Sequence, residues 1–141
     1  MKPNRAEAES LCGLALQDLP ASVQAARRIM RHGVKSVALS LGASGIVWQM
    51  NQNSPLLHAA PPTVPVTSTV GCGDAALAGF AVALARNLPP DETLRLATAC
   101  GTANCLAAMP GGIQPREVER ILPLVKIEQL AQSKMGEISE H

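Results

Sequence analysis

The pattern of apolar and polar positions changes period several times along the chain, and each change marks an element. Arg5 to Leu16 has helical character, with Asn4 placed to cap it and Gly13 weakening its end. A second helix is expected from about Ser22 to His32, where Arg27, Arg28, Arg31 and His32 suit the negative end of a helix and Gly33 stops it. The period then shifts: Val34 to Leu41 is a mostly apolar run rich in strand formers, the pattern of a parallel strand covered on both faces. Gly42-Ala43-Ser44-Gly45 turns the chain into Ile46 to Met50. Leu56 to Ala60 follows a polar stretch, which predicts a hairpin at a sheet edge.

Pro61, Pro62 and Pro65 forbid a central strand after that point. Past them, Ala75 to Arg86 is apolar on nearly every face and predicts a buried helix. Pro89-Pro90-Asp91-Glu92 opens another helix to about Ala108, rich in small residues that permit close packing, and Pro110-Gly111-Gly112 ends it. A short helix from Pro115 puts Val118, Ile121 and Leu122 on one stripe, and residues 129–141 form a polar tail expected to fray. Helices alternating with strand runs predict the α/β class. Length suggests one domain, over residues 1–128, followed by the tail 129–141.

Composition narrows the partners. Net charge is +1 with both signs scattered, and one Trp, one Phe and no Tyr leave neither a basic groove nor stacking platforms for nucleic acid. No apolar run is long enough to span a bilayer, and no signal-peptide h-region follows Met1, so no membrane partner and a cytoplasmic location are expected. Cys12, Cys72, Cys100 and Cys105 form no CxxC pair and have no His at ligand spacing, so they read as reduced thiols, with Cys100 and Cys105 as small buried hydrophobes in a helix.

Gly71-Cys72-Gly73-Asp74 carries the chemistry. Two glycines let backbone N–H groups converge, and the helix that follows adds its positive end, which makes an anion site. A carboxylate in the first turn of that helix lies where a phosphoryl group would sit, so Asp74 suits a base for a hydroxyl attacking phosphorus. Three other readings stay open. The turn can be plain turn chemistry. Asn4 and Glu7, three residues apart, read equally as a cap and its capping-box partner. Gly71-x-Gly73-x-x-Ala76 also fits a relaxed dinucleotide fingerprint if Asp91 or Glu92 ends a strand. No Walker A sequence occurs.

Thr67 to Phe80 resembles the signature of the ribokinase-type (PfkB) carbohydrate kinases, with Cys72 in place of their usual small residue. Lys2-Pro3-Asn4-Arg5-Ala6-Glu7 is similar to the KPNxxE motif of the branch that phosphorylates sugar phosphates. Ser40 to Gly45 resembles the family's loop over the nucleotide phosphates, and Thr98 to Gly112 its adenine-side helix and cation loop. The resemblance implies a three-layer sandwich fragment with a mostly parallel sheet flanked by helices and an edge hairpin. It implies Asp74 as catalytic base, an anion hole of the Gly71, Cys72 and Gly73 amides, and Asn4 and Glu7 organising magnesium through its waters. Lys2, Ser40, Gly42, Gly45, Thr98 and Gly101 would bind ATP, and a monovalent cation would sit in the 98–112 loop. The implied reaction is phosphorylation of a sugar phosphate by MgATP, with fructose 1-phosphate favoured and tagatose 6-phosphate and fructose 6-phosphate as the other substrates of that branch. Because the resemblance begins inside the family's pattern, the sugar-binding half is expected to precede Met1, so a missing N-terminal half or a second copy of the chain is the expected partner. The alternative is a non-catalytic module that binds nucleotide or a partner.

Overall fold

The computed structural model describes residues 1–107, 109 and 112–130. The described residues fall into two compact units: Met1–Gly42, Ile46–His58 and Glu128–Leu130 form the first, and Ala43–Gly45 with the described part of Ala59–Ile127 the second.

In the first unit, α1 (Arg5–Cys12) ends earlier than its polarity suggests because Gly13 takes φ +65° and its N–H closes on the Glu9 carbonyl. Arg28 donates to the Cys12 carbonyl at 2.7 Å and satisfies another group at that helix end. The second helix, α2 (Leu19–Arg31), starts ahead of Ser22 because Asp18 accepts from the Ala21 amide at 2.9 Å and Pro20 fits the first turn. Val23, Ala26, Ile29 and Met30 face inward at helical spacing, while Gln24, Arg28 and Arg31 stay exposed.

A four-stranded sheet has the order β1-β2-β3-β4, formed by Val37–Ser40, Ile46–Gln49, Leu56–Ala60 and Lys126–Leu130. β1 pairs with β2 antiparallel, Val37 opposite Gln49 and Ser40 opposite Ile46. Antiparallel pairing follows from the connection over 41–45, which is far shorter than the dozen or more residues a parallel crossover needs. Parallel pairing occurs along β1 with the Met1–Asn4 segment instead. There the Ala38 amide donates to the Met1 carbonyl at 2.9 Å, the Ser40 amide to that of Pro3 at 3.1 Å, and Asn4 bridges Ser40. Val37, Leu39, Val47 and Leu56 are wholly buried in one cluster with Ala8, Leu16, Val23 and Ile29, each large aliphatic contributing about 1.5–3 kcal/mol. Ala38, Ile46 and Trp48 are buried outside that cluster, so β1 and β2 are covered on both faces as expected.

In the second unit, α3 (Cys72–Ala85) packs against α4 (Pro90–Leu106). Gly79 makes that approach possible, since a Cβ there would stand 2.8 Å from the Ala97 Cα. α3 is not buried all round. Ala75, Ala76, Phe80 and Ala83 face inward, whereas Leu77, Ala78, Ala81, Val82, Leu84 and Ala85 are exposed, because the helix packs on one side only. α5 (Pro115–Ile121) buries Ile121 fully and leaves Val118 and Leu122 half-buried, and Arg95 donates to the Leu122 carbonyl at 3.3 Å and to that of Val125. Regular structure runs through Gln129 to Leu130, inside the segment expected to be a tail; residues 131–141 lie outside the described residues, as do Pro110 and Gly111 of the expected helix stop. No helix among the described residues is long and apolar enough to cross a membrane.

The two glycines of the 42–45 turn differ in a way that stability can report. Gly42 sits at φ +59° with open space where a Cβ would stand, so Gly42→Ala should cost only the left-handed strain, about 1–2 kcal/mol. Gly45 sits at φ +95°, and a Cβ there would overlap the Ala59 carbonyl oxygen. Gly45→Ala should therefore cost about 3 kcal/mol or more in urea unfolding. Equal losses for the two variants would contradict the close approach at Ala59.

Candidate functional site

Within the second unit the glycine turn is built from both sides. Gly71 takes φ +83° as the N-cap of α3, a conformation glycine adopts at little cost, and its carbonyl accepts the first helical bond from Ala75 at 2.9 Å. The Ser68 hydroxyl accepts from the Val70 amide at 3.1 Å, and the Thr69 carbonyl accepts from Cys72 at 3.3 Å. Of the three amides expected to form an anion hole, Cys72 N–H is thus turned into the loop through a long bond. The first-turn amides that remain have no intrahelical acceptor and point out of the helix N-terminus. Asp74 is exposed in that first turn, and among the described residues its carboxylate has no hydrogen bond or ion pair.

α4 fixes this turn. Asn104, almost wholly buried, donates from Nδ2 to the Val70 carbonyl at 2.8 Å and to Cys72 Sγ at 3.4 Å, and the Cys105 carbonyl accepts from Thr67 at 2.8 Å. Asn104 is a functional residue that sequence reading missed, although a lone amide in an Ala-rich helix was its visible signal. Cys72 and Cys105 share a hydrogen bond with their Sγ atoms 2.7 Å apart. Burial, and then that bond, pushes the Cys105 thiol up to about 12; burial alone raises Cys100. Gly101 faces the turn, its missing Cβ falling 3.3 Å from the Cys72 carbonyl oxygen. Thr98 is buried, and its hydroxyl has no partner among the described residues. Gly101 thus lies in the α3–α4 contact. On another side of α4, Ala103, Leu106, Met109 and Gly112 line a cleft of about 530 Å³ with Arg116 and Arg120, a size that suits a small ligand. It borders the stretch expected to hold adenine; Ala108, Pro110 and Gly111 of the expected cation loop lie outside the described residues.

In the first unit the expected residues come together through the backbone. Asn4 caps α1, its Oδ1 accepting from the Glu7 amide at 2.8 Å while Glu7 Oε1 accepts from the Asn4 amide at 3.0 Å. The capping-box reading is therefore realised. Glu7 Oε2 remains as a hard oxygen able to meet a magnesium-bound water, which suits an ion that keeps several waters. Among the described residues no group of three or more His, Cys, Asp or Glu could hold a metal directly. Ser40 ends β1 beside Asn4, its hydroxyl 3.5 Å from the Pro3 carbonyl, and Lys2 is half-buried in the parallel segment. Gly42 opens a short 3-10 turn, whereas Gly45 is explained by the backbone approach to Ala59. Asp91 and Glu92 lie in the first turn of α4 and end no strand, which removes the acid that the dinucleotide reading requires.

Comparison with known proteins places this geometry. The profile of the pfkB family of carbohydrate kinases matches residues 1–115. The chain is 39% identical over 99 residues to 1-phosphofructokinase of Escherichia coli (strain K12), an alignment covering 70% of this chain and 31% of that protein. Phosphofructokinase-2 from Escherichia coli, solved in complex with substrates and products, superposes with a TM-score of 0.77 and 28% identity over 87% of this chain and 39% of that one. Ribokinase from Thermotoga maritima gives a TM-score of 0.72 at 28% identity over 86% of this chain and 41% of that one. The chain thus spans about a third of the length of its 1-phosphofructokinase relative.

Glu7→Gln separates cap from charge. Glutamine keeps the capping box, so stability should stay within about 0.5 kcal/mol of wild type, whereas Asn4→Ala should lose about 1 kcal/mol. If Glu7 serves only α1, Glu7→Gln should leave the magnesium dependence of nucleotide binding unchanged in a thermal-shift titration; a weakened dependence assigns Oε2 to the metal's waters.

Proposed function

This chain belongs to the pfkB family of carbohydrate kinases and has their ribokinase-like α/β fold, and on that premise we propose that it carries the ATP site and catalytic base of a sugar-phosphate kinase. The reaction is transfer of the γ-phosphoryl of MgATP to a sugar phosphate, fructose 1-phosphate giving fructose 1,6-bisphosphate, with tagatose 6-phosphate and fructose 6-phosphate as the competing substrates. The observation that carries this reading is the free Asp74 carboxylate in the first turn of α3, directly after a glycine turn that α4 holds in place.

Phosphoryl transfer asks a protein mainly to position the groups and to stabilise charge. The outward amides at the start of α3 meet the equatorial oxygens of the γ-phosphate, where hydrogen bonds gain strength as negative charge spreads over them. Asp74 accepts the proton of the sugar hydroxyl as its oxygen bonds to phosphorus and the bond from phosphorus to the bridging oxygen of ADP breaks. Magnesium, when bound, would neutralise phosphate charge, and Asn4 and Glu7 would organise its waters. The cleft beside α4 receives the adenine, and Lys2, Ser40 and Gly42 are further proposed nucleotide contacts. Gly101 faces the turn from α4, and Thr98 is buried in the same helix.

No described residue is assigned to the sugar, which a separate N-terminal half or a second copy of the chain must hold. The exposed apolar side of α3, with Leu77, Val82 and Leu84, favours one further reading, a non-catalytic module that docks through that face. Substitution at Asp74 distinguishes the two.

In an assembly that supplies the sugar site, Asp74→Asn should lower kcat by a factor of about 10² to 10⁴, since the amide cannot take the proton. ADP affinity should stay within about threefold of wild type. A variant as fast as wild type would rule out Asp74 as the base and leave the docking module. For the chain alone, MgATP at tenfold excess over its dissociation constant should stabilise the fold by about 1.4 kcal/mol, readable as a rise in Tm. No rise at millimolar MgATP, with a clear rise from NAD, would overturn the nucleotide assignment.

A further inference from the structure

Cys72 and Cys105 are 33 residues apart in sequence, yet their sulfurs stand 2.7 Å apart in one hydrogen bond. One lies within the glycine turn; the other lies on α4 beside Asn104, whose amide bonds both the Val70 carbonyl and Cys72 Sγ. Both thiols are free and half-buried, so the pair is within reach of a small reagent while its backbone is already held on both sides. We propose that Cys72 and Cys105 form a reversible disulfide that fastens the glycine turn to α4.

The sulfurs need to approach by roughly 0.7 Å to bond, a shift that side-chain rotation and a small movement of the turn can supply. The oxidant is a small-molecule disulfide. Cys72 as thiolate attacks one of its sulfurs, the reagent's S–S bond breaks, and one thiol leaves with a proton. Cys105 then loses its proton and displaces the second thiol, so that two protein S–H bonds are exchanged for one S–S bond and the reagent disulfide is reduced to two thiols. Burial and its bond to Cys72 make Cys105 hold its proton firmly, which disfavours it as the first attacking thiolate.

The consequence for ligands rests on the nucleotide reading given above. Drawing Cys72 toward α4 turns the amides at the start of α3 away from a bound phosphate, and such sites lose much of their effect with displacements of about 1 Å. Oxidation should therefore weaken MgADP binding about tenfold, and reduction should restore it.

The full-length chain, exposed to glutathione disulfide, acid-quenched and alkylated with iodoacetamide, provides the test. Peptide mapping should find Cys72 and Cys105 joined with the loss of two hydrogens and alkylation confined to Cys12 and Cys100, all reversed by dithiothreitol. Alkylation at Cys72 and Cys105, a persistent glutathione adduct on either, or a bond to another cysteine or a second chain overturns the proposal. Hydrogen exchange of the 66–73 amides should slow about tenfold on oxidation, and an unchanged rate would show that nothing has been fastened. Cys105→Ser should accumulate a glutathione adduct at Cys72 and lose the oxidant response; if that variant does not fold, mapping and exchange of the wild type decide alone. If MgADP produces no thermal shift in either redox state, the nucleotide assignment and its redox coupling both fall, while the map still judges the disulfide. A clear shift that oxidation leaves unchanged overturns only the coupling.

Discussion

The bond from Asn104 Nδ2 to the Val70 carbonyl is the interaction on which the candidate site turns. This carbonyl lies on the loop that must deliver Gly71 to the start of α3, so the bond ties that loop to α4. Asn104 reaches it only because α3 and α4 come unusually close. Gly79 faces the Ala97 backbone, where a methyl group would push the helices apart, and Gly101 faces the Cys72 carbonyl, which a methyl group would crowd. Small residues therefore set the helix spacing, the spacing places one buried amide, and that amide orients the turn on which the proposed function rests.

In the first unit one residue serves the fold with one of its two oxygens only. Glu7 closes the capping box through Oε1 and leaves Oε2 uncommitted. Asn4 is fully used: its Oδ1 holds the Glu7 amide, and its backbone joins the parallel bridge to Ser40. Capping and ligand binding are thus not competing explanations for a carboxylate with two oxygens. For the amide of Asn4 they are, since a carbonyl oxygen already accepting at 2.8 Å has less to offer a second partner.

Several features were legible in the residues themselves. Gly13, Gly33 and Gly71 each take positive φ where the polarity pattern placed a stop or a turn. The strand run ending at Ser40, the hairpin-like pair that follows and the helix opened by Pro90 all lie where their periods indicate, with boundaries displaced by a few residues where Gly13 and Asp18 govern the ends. These elements depend on contacts within a few residues, so local composition suffices to read them. The glycine turn and its aspartate were legible for the same reason. β4 was not: its exposed, mixed pattern resembles a polar tail, and strand identity there comes from a neighbouring strand.

By itself the sequence determined the local chemistry: which residues cap, which turn, where an anion could meet a helix end, and which carboxylate stands beside it. Only the tertiary structure decided which of those groups are free to act. It left Asp74 without a partner among the described residues, used one oxygen of Glu7 in a cap, buried Thr98, exposed the side of α3 that an all-apolar pattern assigned to a core, and set Cys105 against Cys72. Those outcomes depend on residues tens of positions apart meeting in space, and side-chain periodicity within one element contains no information about which element will lie against it.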